Sequence, residues 1–246
     1  MTKGNNVTDE IIQQDETITL KNLLEPSYPL LQKFRQECPG TFKHCQAVAS
    51  MVEAIAIKLD LDPDILKTAC LYHDIGKVIN PKYFSENQSQ TENPHDGLDP
   101  FISYQLISRH VSDTSLILLN DGNFPIDIIK IATQHHGTTI TKYFFDKSGS
   151  EDENKFRYKG EKPSCVQSAI LMICDYLEAR SRSEVQSRSD FQPNILVEET
   201  INYLMRDTQL DNVTIRLGSL QTIKDTLTKE LEGLYQKRID YRKSKE

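Results

Sequence analysis

The placement of histidine constrains this chain more than any other feature of its sequence. Five of the six histidines, together with two aspartates, lie in separate segments suited to metal binding. These residues are His44, His73, Asp74, His110, His135, His136 and Asp175. Imidazole suits Mn, Fe, Zn, Cu and Ni, and a carboxylate can bridge two such ions. If these side chains share one site, the fold must bring distant segments together around a pair of ions.

A site with two adjacent metal ions has a well-defined chemistry. It can ionise a bound water near neutral pH and hold a phosphoryl group between its ions. The leading hypothesis from the residues alone is therefore a metal-dependent phosphohydrolase.

The length and net charge of the chain limit the molecules that it is expected to bind. The 246 residues suffice for one large domain or two small ones. The net charge of −7 disfavours long nucleic acid, because such binding depends on neutralising phosphates with lysine and arginine. A small anionic substrate remains compatible, because bound metal ions can reverse the local field.

Cysteine use and hydropathy indicate the compartment. The five cysteines are odd in number and include no Cys-x-x-Cys pair, which is typical of free thiols in a reducing cytoplasm. No run of about 18 apolar residues occurs, so no membrane-spanning segment is predicted in this chain.

Apolar residues recur at spacings of three and four through most of the chain, which predicts an all-α fold. Residues 1–23 are largely polar and are predicted to form a flexible N-terminal tail or linker, leaving 24–246 as the folded domain. Residues 146–163 are charged and are predicted to form a flexible excursion. The only strand candidate is the short segment 213–215.

Helix start signals place the candidate ligands. Thr41 is the expected N-cap of the helix that carries His44. Asp62-Pro63 opens a helix that ends at Gly76 and holds His73-Asp74 in its last turns. Asp99-Pro100 opens another helix, which is expected to reach His110.

Each candidate ligand also has a structural interpretation. A lone His44 or His110 is more often a satisfied histidine than a ligand, and a His-Asp pair is often a surface feature. Asp175 is more informative, because it lies within Ile-Cys-Asp-Tyr-Leu and a buried carboxylate needs a partner. The alternative for Asp175 is a salt bridge to a nearby arginine.

The order of these residues, together with several longer motifs, resembles the dinuclear branch of the HD-domain phosphohydrolases. More closely, the chain is similar to the cytosolic HD domain of the seven-transmembrane HD-family cyclic-di-AMP phosphodiesterases, over roughly residues 24–240. The matching motifs are Pro39-Gly40-Thr41-Phe42-x-His44, Tyr72-His73-Asp74-Ile75-Gly76-Lys77, Pro81-x-Tyr83-Phe84-x-Glu86-Asn87-Gln88, Asn93-Pro94-His95-Asp96, His135-His136-Gly137-Thr138-Thr139 and Phe156-Arg157-Tyr158.

This resemblance implies a helical HD bundle with two divalent ions, expected to be Mn or Fe. It implies that His44, His73 and Asp175 hold one ion and that His110, His135 and His136 hold the other. Asp74 would bridge the ions, and a hydroxide between them would open cyclic-di-AMP to linear pApA.

The resemblance also suggests substrate contacts, each with an alternative. Lys77, which follows the His-Asp motif, would act in catalysis by contacting a substrate phosphate, or would be an ordinary exposed lysine. His95 would contact substrate or shape its loop. Arg157 would bind a phosphate or pair with the acidic run 151–153.

The chain departs from this family pattern in two places. It lacks the membrane helices that normally precede the domain, so it would be either a fragment or a free-standing version. After Arg157-Tyr158 it has Lys159-Gly160 where the family tends to have Pro-Gly.

Other functions remain open at this stage. A related class that acts on cyclic-di-GMP carries a Gly-Tyr-Pro element after its paired histidines, and this chain has none. The alternatives are a dinucleotide-sensing HD module with little turnover, an HD phosphohydrolase for another nucleotide, and a structural module with one Zn ion. The sequence does not predict the oligomeric state.

Overall fold

The structure is a computed structural model that describes residues 18–88, 93–187 and 191–243. Within these ranges the chain forms α-helices and short 3-10 segments but no β-strand, which confirms the all-α prediction. The α-helices are α1 (Leu20–Leu24), α2 (Pro29–Glu37), α3 (Pro39–Lys58), α4 (Pro63–Tyr72), α5 (Pro100–Ser108), α6 (His110–Asp121), α7 (Ile126–Thr133), α8 (Lys142–Ser148), α9 (Val166–Ser187), α10 (Pro193–Arg206) and α11 (Leu217–Lys243).

Helices α3 and α9 form the centre of the bundle. Helix α3 packs against α4, α9 and α11, and α9 also packs against α7 and α10. The apolar stripes predicted from the sequence face this core. The fully buried members of the two stripes are Cys45, Val48, Val52 and Ile55 on α3, and Ala169, Ile170, Ile173 and Leu177 on α9.

Two predicted helix starts are confirmed in detail. The Asp62 carboxylate accepts a hydrogen bond from the backbone N–H of Asp64 at 2.9 Å, and Pro63 takes the first helical position of α4. The Asp99 carboxylate accepts from the N–H of Phe101 at 2.8 Å at the start of α5. These caps fix where the helices that lead to the candidate ligands begin.

The predicted N-cap at Thr41 is wrong, because α3 begins two residues earlier at Pro39. The side-chain oxygen of Asn87 accepts from the N–H groups of both Gly40 and Thr41, at 3.0 and 3.1 Å. A Cβ at Gly40 would lie 1.8 Å from the carbonyl oxygen of Glu86, so only glycine permits this close approach.

Two other helix ends differ from the prediction. Helix α4 stops at Tyr72 rather than Gly76, and a 3-10 segment, Ile75–Ile79, follows. The helix from Asp99 does not run through to His110: α5 ends at Ser108 and α6 starts at His110. Both differences place a ligand at a helix boundary, where the backbone changes direction.

The folded part begins before residue 24, earlier than the prediction. Leu23 on α1 is fully buried, and its carbonyl accepts a 2.6 Å hydrogen bond from the Tyr72 hydroxyl. The first 17 residues of the predicted tail lie outside the described residues.

The predicted excursion 146–163 has defined local structure. Helix α8 ends at Gly149, which has a φ of +64°, and a 3-10 segment, Glu153–Phe156, follows. Phe156 is 2% exposed, and Arg157 forms an isolated antiparallel bridge with Ile140. The strand candidate at 213–215 forms no strand.

No helix among the described residues is both long enough and apolar enough to cross a bilayer. All five cysteines are free, as the sequence predicted.

Candidate metal centre

The fold brings all seven candidate ligands together. His44 lies on α3, His110 is the first residue of α6, and Asp175 lies on α9. His73 caps the C-terminus of α4, and His135-His136 follow α7. Their donor atoms form two groups, within each of which every pair lies within 4.8 Å. The Asp175 half consists of His44, His73 and Asp175; the triple-histidine half consists of His110, His135 and His136, with Asp74.

Gly76 fixes the distance between two of the ligand-bearing segments. Its N–H donates to the Thr114 hydroxyl on α6 at 2.9 Å, and that hydroxyl donates to the carbonyl of His73 at 3.0 Å. A Cβ at Gly76 would lie 2.1 Å from the carbonyl oxygen of His110. The glycine therefore allows the segment after Asp74 to lie directly against the start of α6.

The Asp74 carboxylate lies between the two halves. Its Oδ2 is 3.8 Å from His44 Nε2 and 3.5 Å from His73 Nε2. Its Oδ1 is 3.2 Å from His110 Nε2 and 3.6 Å from His135 Nε2. Each oxygen thus faces a different group of imidazoles, which is the arrangement a bridging ligand requires.

Backbone carbonyls orient three of the imidazoles. The Nδ1–H group of each ring donates to the carbonyl three residues earlier, at 2.6–2.7 Å. Because a carbonyl can only accept, Nδ1 carries a proton in each ring, and Nε2 is left facing the cluster as the atom that would bind a metal ion. These donor–acceptor pairs are His73 with Cys70, His110 with Ile107, and His135 with Ala132.

The donor atoms fit divalent cations. His73 Nε2, Asp74 Oδ1 and His136 Nδ1 are buried and have no hydrogen-bond partner within the described chain. His110 Nε2 and His135 Nε2 lie 3.2 Å apart, so two neutral rings with the proton on Nδ1 would face each other with lone pairs. Buried polar atoms without partners are costly, and facing lone pairs repel. Cations coordinated by these atoms would remove both penalties.

Electrostatics keep the carboxylates ionised. Burial opposes ionisation of Asp74, but Lys77 and His73 outweigh it and hold the pKa of its carboxyl well below the usual value. Burial likewise opposes ionisation of Asp175, and the hydrogen bond from His44 leads the groups that hold its pKa well below normal. Both groups are therefore available as anionic ligands.

The two halves hold histidines whose pKa values are shifted in opposite directions. Burial, followed by the charge of His135, lowers the pKa of His136 well below its usual value. Burial would also lower the pKa of His44, but Asp175 and Glu178 outweigh it and raise that pKa to about 10. The Asp175 half is thus the more anionic environment.

Lys77, which the sequence predicted as a catalytic residue, lies beside the candidate metal ligands. Its Nζ is 2.7 Å from Asp74 Oδ2 and 2.8 Å from Glu86 Oε1. It also lies 4.8 Å from the centre of the Phe84 ring. Although burial disfavours its charge, Asp74 and Glu86 raise the Lys77 pKa well above normal, so the ammonium stays protonated.

The sequence analysis missed Glu178. This carboxylate is 4% exposed, and its Oε2 lies 2.6 Å from His44 Nδ1 and 3.0 Å from Arg182 Nε. Asp175 was predicted to bind a metal ion or to pair with an arginine, and its Oδ1 lies 2.9 Å from Nε2 of His44, another candidate ligand. One sequence signal was available: Glu178 is three residues after Asp175, on the same face of α9.

His95 lines an aromatic cavity that adjoins the cavity over the candidate metal ligands. Its Nε2–H donates to the Tyr83 carbonyl at 2.8 Å, and its ring lies 5.0 Å from that of Phe144. The cavity measures about 390 Å³, and Phe84 lines both it and the cavity over the metal ligands. These contacts agree with the loop-shaping alternative for His95, and the substrate contact stays a prediction.

Arg157 lies away from the cluster. Its guanidinium makes two contacts with the Asp207 carboxylate, at 2.8 and 3.1 Å, donates to the Thr138 carbonyl at 2.8 Å and pairs with Glu153. It does not line the cavity over the metal ligands. The pairing with the acidic run suggested by the sequence is present, at Glu153.

A cavity of about 720 Å³ opens over the cluster. This volume lies within the range of about 300–1,000 Å³ typical of small-molecule sites. Its walls combine metal ligands with cationic and aromatic side chains, among them Asp74, Asp175, Lys77, Arg182, Phe84 and Tyr143. A larger cavity of about 810 Å³ contains none of the seven candidate ligands.

Two curated relatives are similar to this chain over most of its length. The chain is 38% identical over 234 residues to cyclic-di-AMP phosphodiesterase PgpH of Listeria monocytogenes, covering 92% of this chain and 32% of that protein. It is 35% identical over 229 residues to PgpH of Bacillus subtilis, again covering 92% and 32%. The chain thus spans about a third of the length of these relatives.

Solved structures match the fold. The crystal structure of the L. monocytogenes PgpH HD domain superposes with a TM-score of 0.78 at 38% identity, covering 85% of this chain and 99% of that one. The structure of that domain in complex with cyclic-di-AMP also gives 0.78, at 37% identity, covering 86% and 100%. The family model for the HD domain matches residues 41–180. On this evidence, the chain belongs to the HD-domain family.

Proposed function

We propose that this chain is the catalytic domain of a metal-dependent phosphodiesterase that hydrolyses cyclic-di-AMP to linear pApA. The main support is the placement of Asp74, whose two oxygens face two separate groups of imidazoles below a cavity of substrate size. The similar PgpH proteins are cyclic-di-AMP phosphodiesterases, and one matching structure holds that dinucleotide.

Two divalent ions, Mn or Fe, are part of this proposal. His44, His73 and Asp175 would hold one ion, His110, His135 and His136 the other, and Asp74 would bind both. Ions held in this way lower the pKa of bound water and neutralise charge on a phosphoryl group.

The chain's own residues prepare the site for an anionic substrate. Glu86 and Asp74 hold the Lys77 ammonium at the edge of the cavity, where it can donate a charge-assisted hydrogen bond to a phosphate oxygen. His73 and His135 are fully buried, so their donor atoms are shielded from bulk water. Lys77 is therefore proposed as the substrate-contacting cation.

The remaining assignments follow from this reaction. The partner is a small cyclic dinucleotide rather than long nucleic acid, in keeping with the net charge of −7. The free cysteines suit a reducing cytoplasm. His95 and Arg157 stay predicted substrate contacts, although each has protein partners that suffice for a structural role.

The direct test is incubation of anaerobically purified, Mn-loaded protein with cyclic-di-AMP and, separately, cyclic-di-GMP. We expect linear pApA as the chromatographic product and much slower loss of cyclic-di-GMP. Tight cyclic-di-AMP binding without linear product would instead support the dinucleotide-sensing alternative. Faster cleavage of cyclic-di-GMP would contradict the proposed substrate.

A further inference from the structure

The two halves of the cluster differ in negative charge. The Asp175 half has a carboxylate of its own, and its His44 is backed by the buried Glu178 carboxylate at 2.6 Å. The triple-histidine half has only the shared Asp74. Asp175 lies closer to its own half, with one oxygen 2.9 Å from His44 Nε2 and the other 3.7 Å from His136 Nδ1.

The groups that hydrogen-bond to the imidazoles from outside the cluster also differ between the two halves. His73, His110 and His135 donate to neutral backbone carbonyls, whereas His44 is paired with an anion. A carboxylate behind a ligating imidazole fixes the ring orientation and makes the ring a stronger ligand. Loss of such a partner typically costs about 10–100-fold in metal affinity.

Arg182 forms an ion pair with the Glu178 carboxylate, without a hydrogen bond from its Nε among the described residues. Its Nε lies 3.0 Å from Glu178 Oε2, the same oxygen that meets His44. The two residues are four apart on α9, so the ion pair forms within one helix face. Glu178 is 4% exposed, which keeps its contact with His44 from being screened by water.

We propose that Glu178 is a positioning residue that makes the Asp175 half the high-affinity metal site, so that the two sites fill in order. The Asp175 half retains its ion, and the triple-histidine half exchanges its ion with the medium. This inference rests on the proposed dinuclear site. It implies that the second, exchangeable ion sets how much of the protein is active.

Metal binding, measured without any substrate, tests the ordering. The chelator-stripped protein is equilibrated with increasing Mn²⁺ by dialysis, and bound Mn is counted by elemental analysis. We expect two steps, the first at least about tenfold tighter than the second. Two equal steps, or a total of one ion, would overturn the inference.

Three variants test which half of the cluster is responsible for each Mn²⁺-binding step. Glu178→Gln keeps the shape of the side chain and should weaken the first step by about 10–100-fold. His136→Gln should remove the second step and leave the first in place. Glu53→Gln is the matched control and should change neither step. Glu53 lies on α3, the helix that carries His44, and its carboxylate makes a half-buried ion pair with Lys67 of α4.

The outcomes separate this inference from the proposed function. If Glu178→Gln weakens only the second step, or if His136→Gln removes the tight ion, the ordering is refuted. Circular dichroism of each variant checks that the fold is retained. If a variant does not fold, the two-step binding isotherm of the unaltered protein still tests whether the two sites differ in affinity. Ordered binding of two ions without hydrolysis of cyclic-di-AMP would contradict the proposed function but not this inference.

Discussion

The metal cluster and the rim of the cavity above it are built differently. The cluster ligands lie on or beside helices of the bundle, and His73 and His135 are fully buried. The rim combines residues of α8 and α9 with 3-10 turns and loops, and its Lys77 is held by contacts with both Asp74 and Glu86. The difference indicates that the helices of the bundle position most of the candidate ligands, whereas the rim also draws on loops and 3-10 turns.

The largest effect should come from removing the group that joins the two halves. Asp74→Asn keeps the shape of the side chain but loses the negative charge between the halves. We expect cyclic-di-AMP hydrolysis to fall by at least about 10³-fold, together with the loss of one or both ions. Near-normal turnover, measured by chromatography of the products, would refute the bridging role.

At the rim, Lys77→Gln should have the next largest effect. It removes the ammonium that lies 2.7 Å from Asp74 and faces the cavity. We expect about a 10²-fold loss of kcat/KM for cyclic-di-AMP, with two ions still bound. Lys82→Gln is the control, because Lys82 lies over the Tyr83 ring and does not line the cavity over the cluster. An equal loss in both variants would contradict a specific role for Lys77.

His95 tests whether the aromatic cavity serves the substrate or the loop. His95→Leu removes the hydrogen bond to the Tyr83 carbonyl and should lower the free energy of unfolding by about 1 kcal/mol. If His95 only shapes its loop, the variant should have a KM for cyclic-di-AMP raised by only a few fold and an unchanged kcat. A large fall in kcat with unchanged stability would instead indicate direct substrate contact.

The smallest effect on turnover should follow from Arg157→Gln. This variant loses the paired contacts with Asp207, and we expect a destabilisation of about 1–3 kcal/mol in urea unfolding. Hydrolysis rates at low temperature should stay within about twofold of the unaltered protein, because Arg157 does not line the cavity over the candidate ligands. A marked rise in the KM for cyclic-di-AMP would instead support the predicted contact between Arg157 and a substrate phosphate.

The candidate ligands could be proposed from the sequence because metal chemistry restricts the residue types that bind metal ions. Only a few residue types bind Mn or Fe, so His73-Asp74 and His135-His136 remain conspicuous in any helical chain. The apolar stripes of α3 and α9 were predictable for a similar reason, because burial imposes a helical period.

What could not be predicted depends on contacts between distant segments. The N-terminus of α3 is capped by Asn87, 46 residues beyond Thr41, so no local signal shows where the helix starts. Glu178 matters only because the His44 ring turns its Nδ1 towards α9. Arg157 meets Asp207, 50 residues away, and that pairing decides the direction of its side chain.

The central claim is that one buried carboxylate joins two metal sites. Anomalous diffraction from crystals of the Mn-loaded protein, collected at the manganese edge, tests it most directly. The account predicts two peaks, one on each side of Asp74, the first within the Asp175 half and the second within the triple-histidine half. A single peak at full loading, or peaks remote from Asp74, would contradict it.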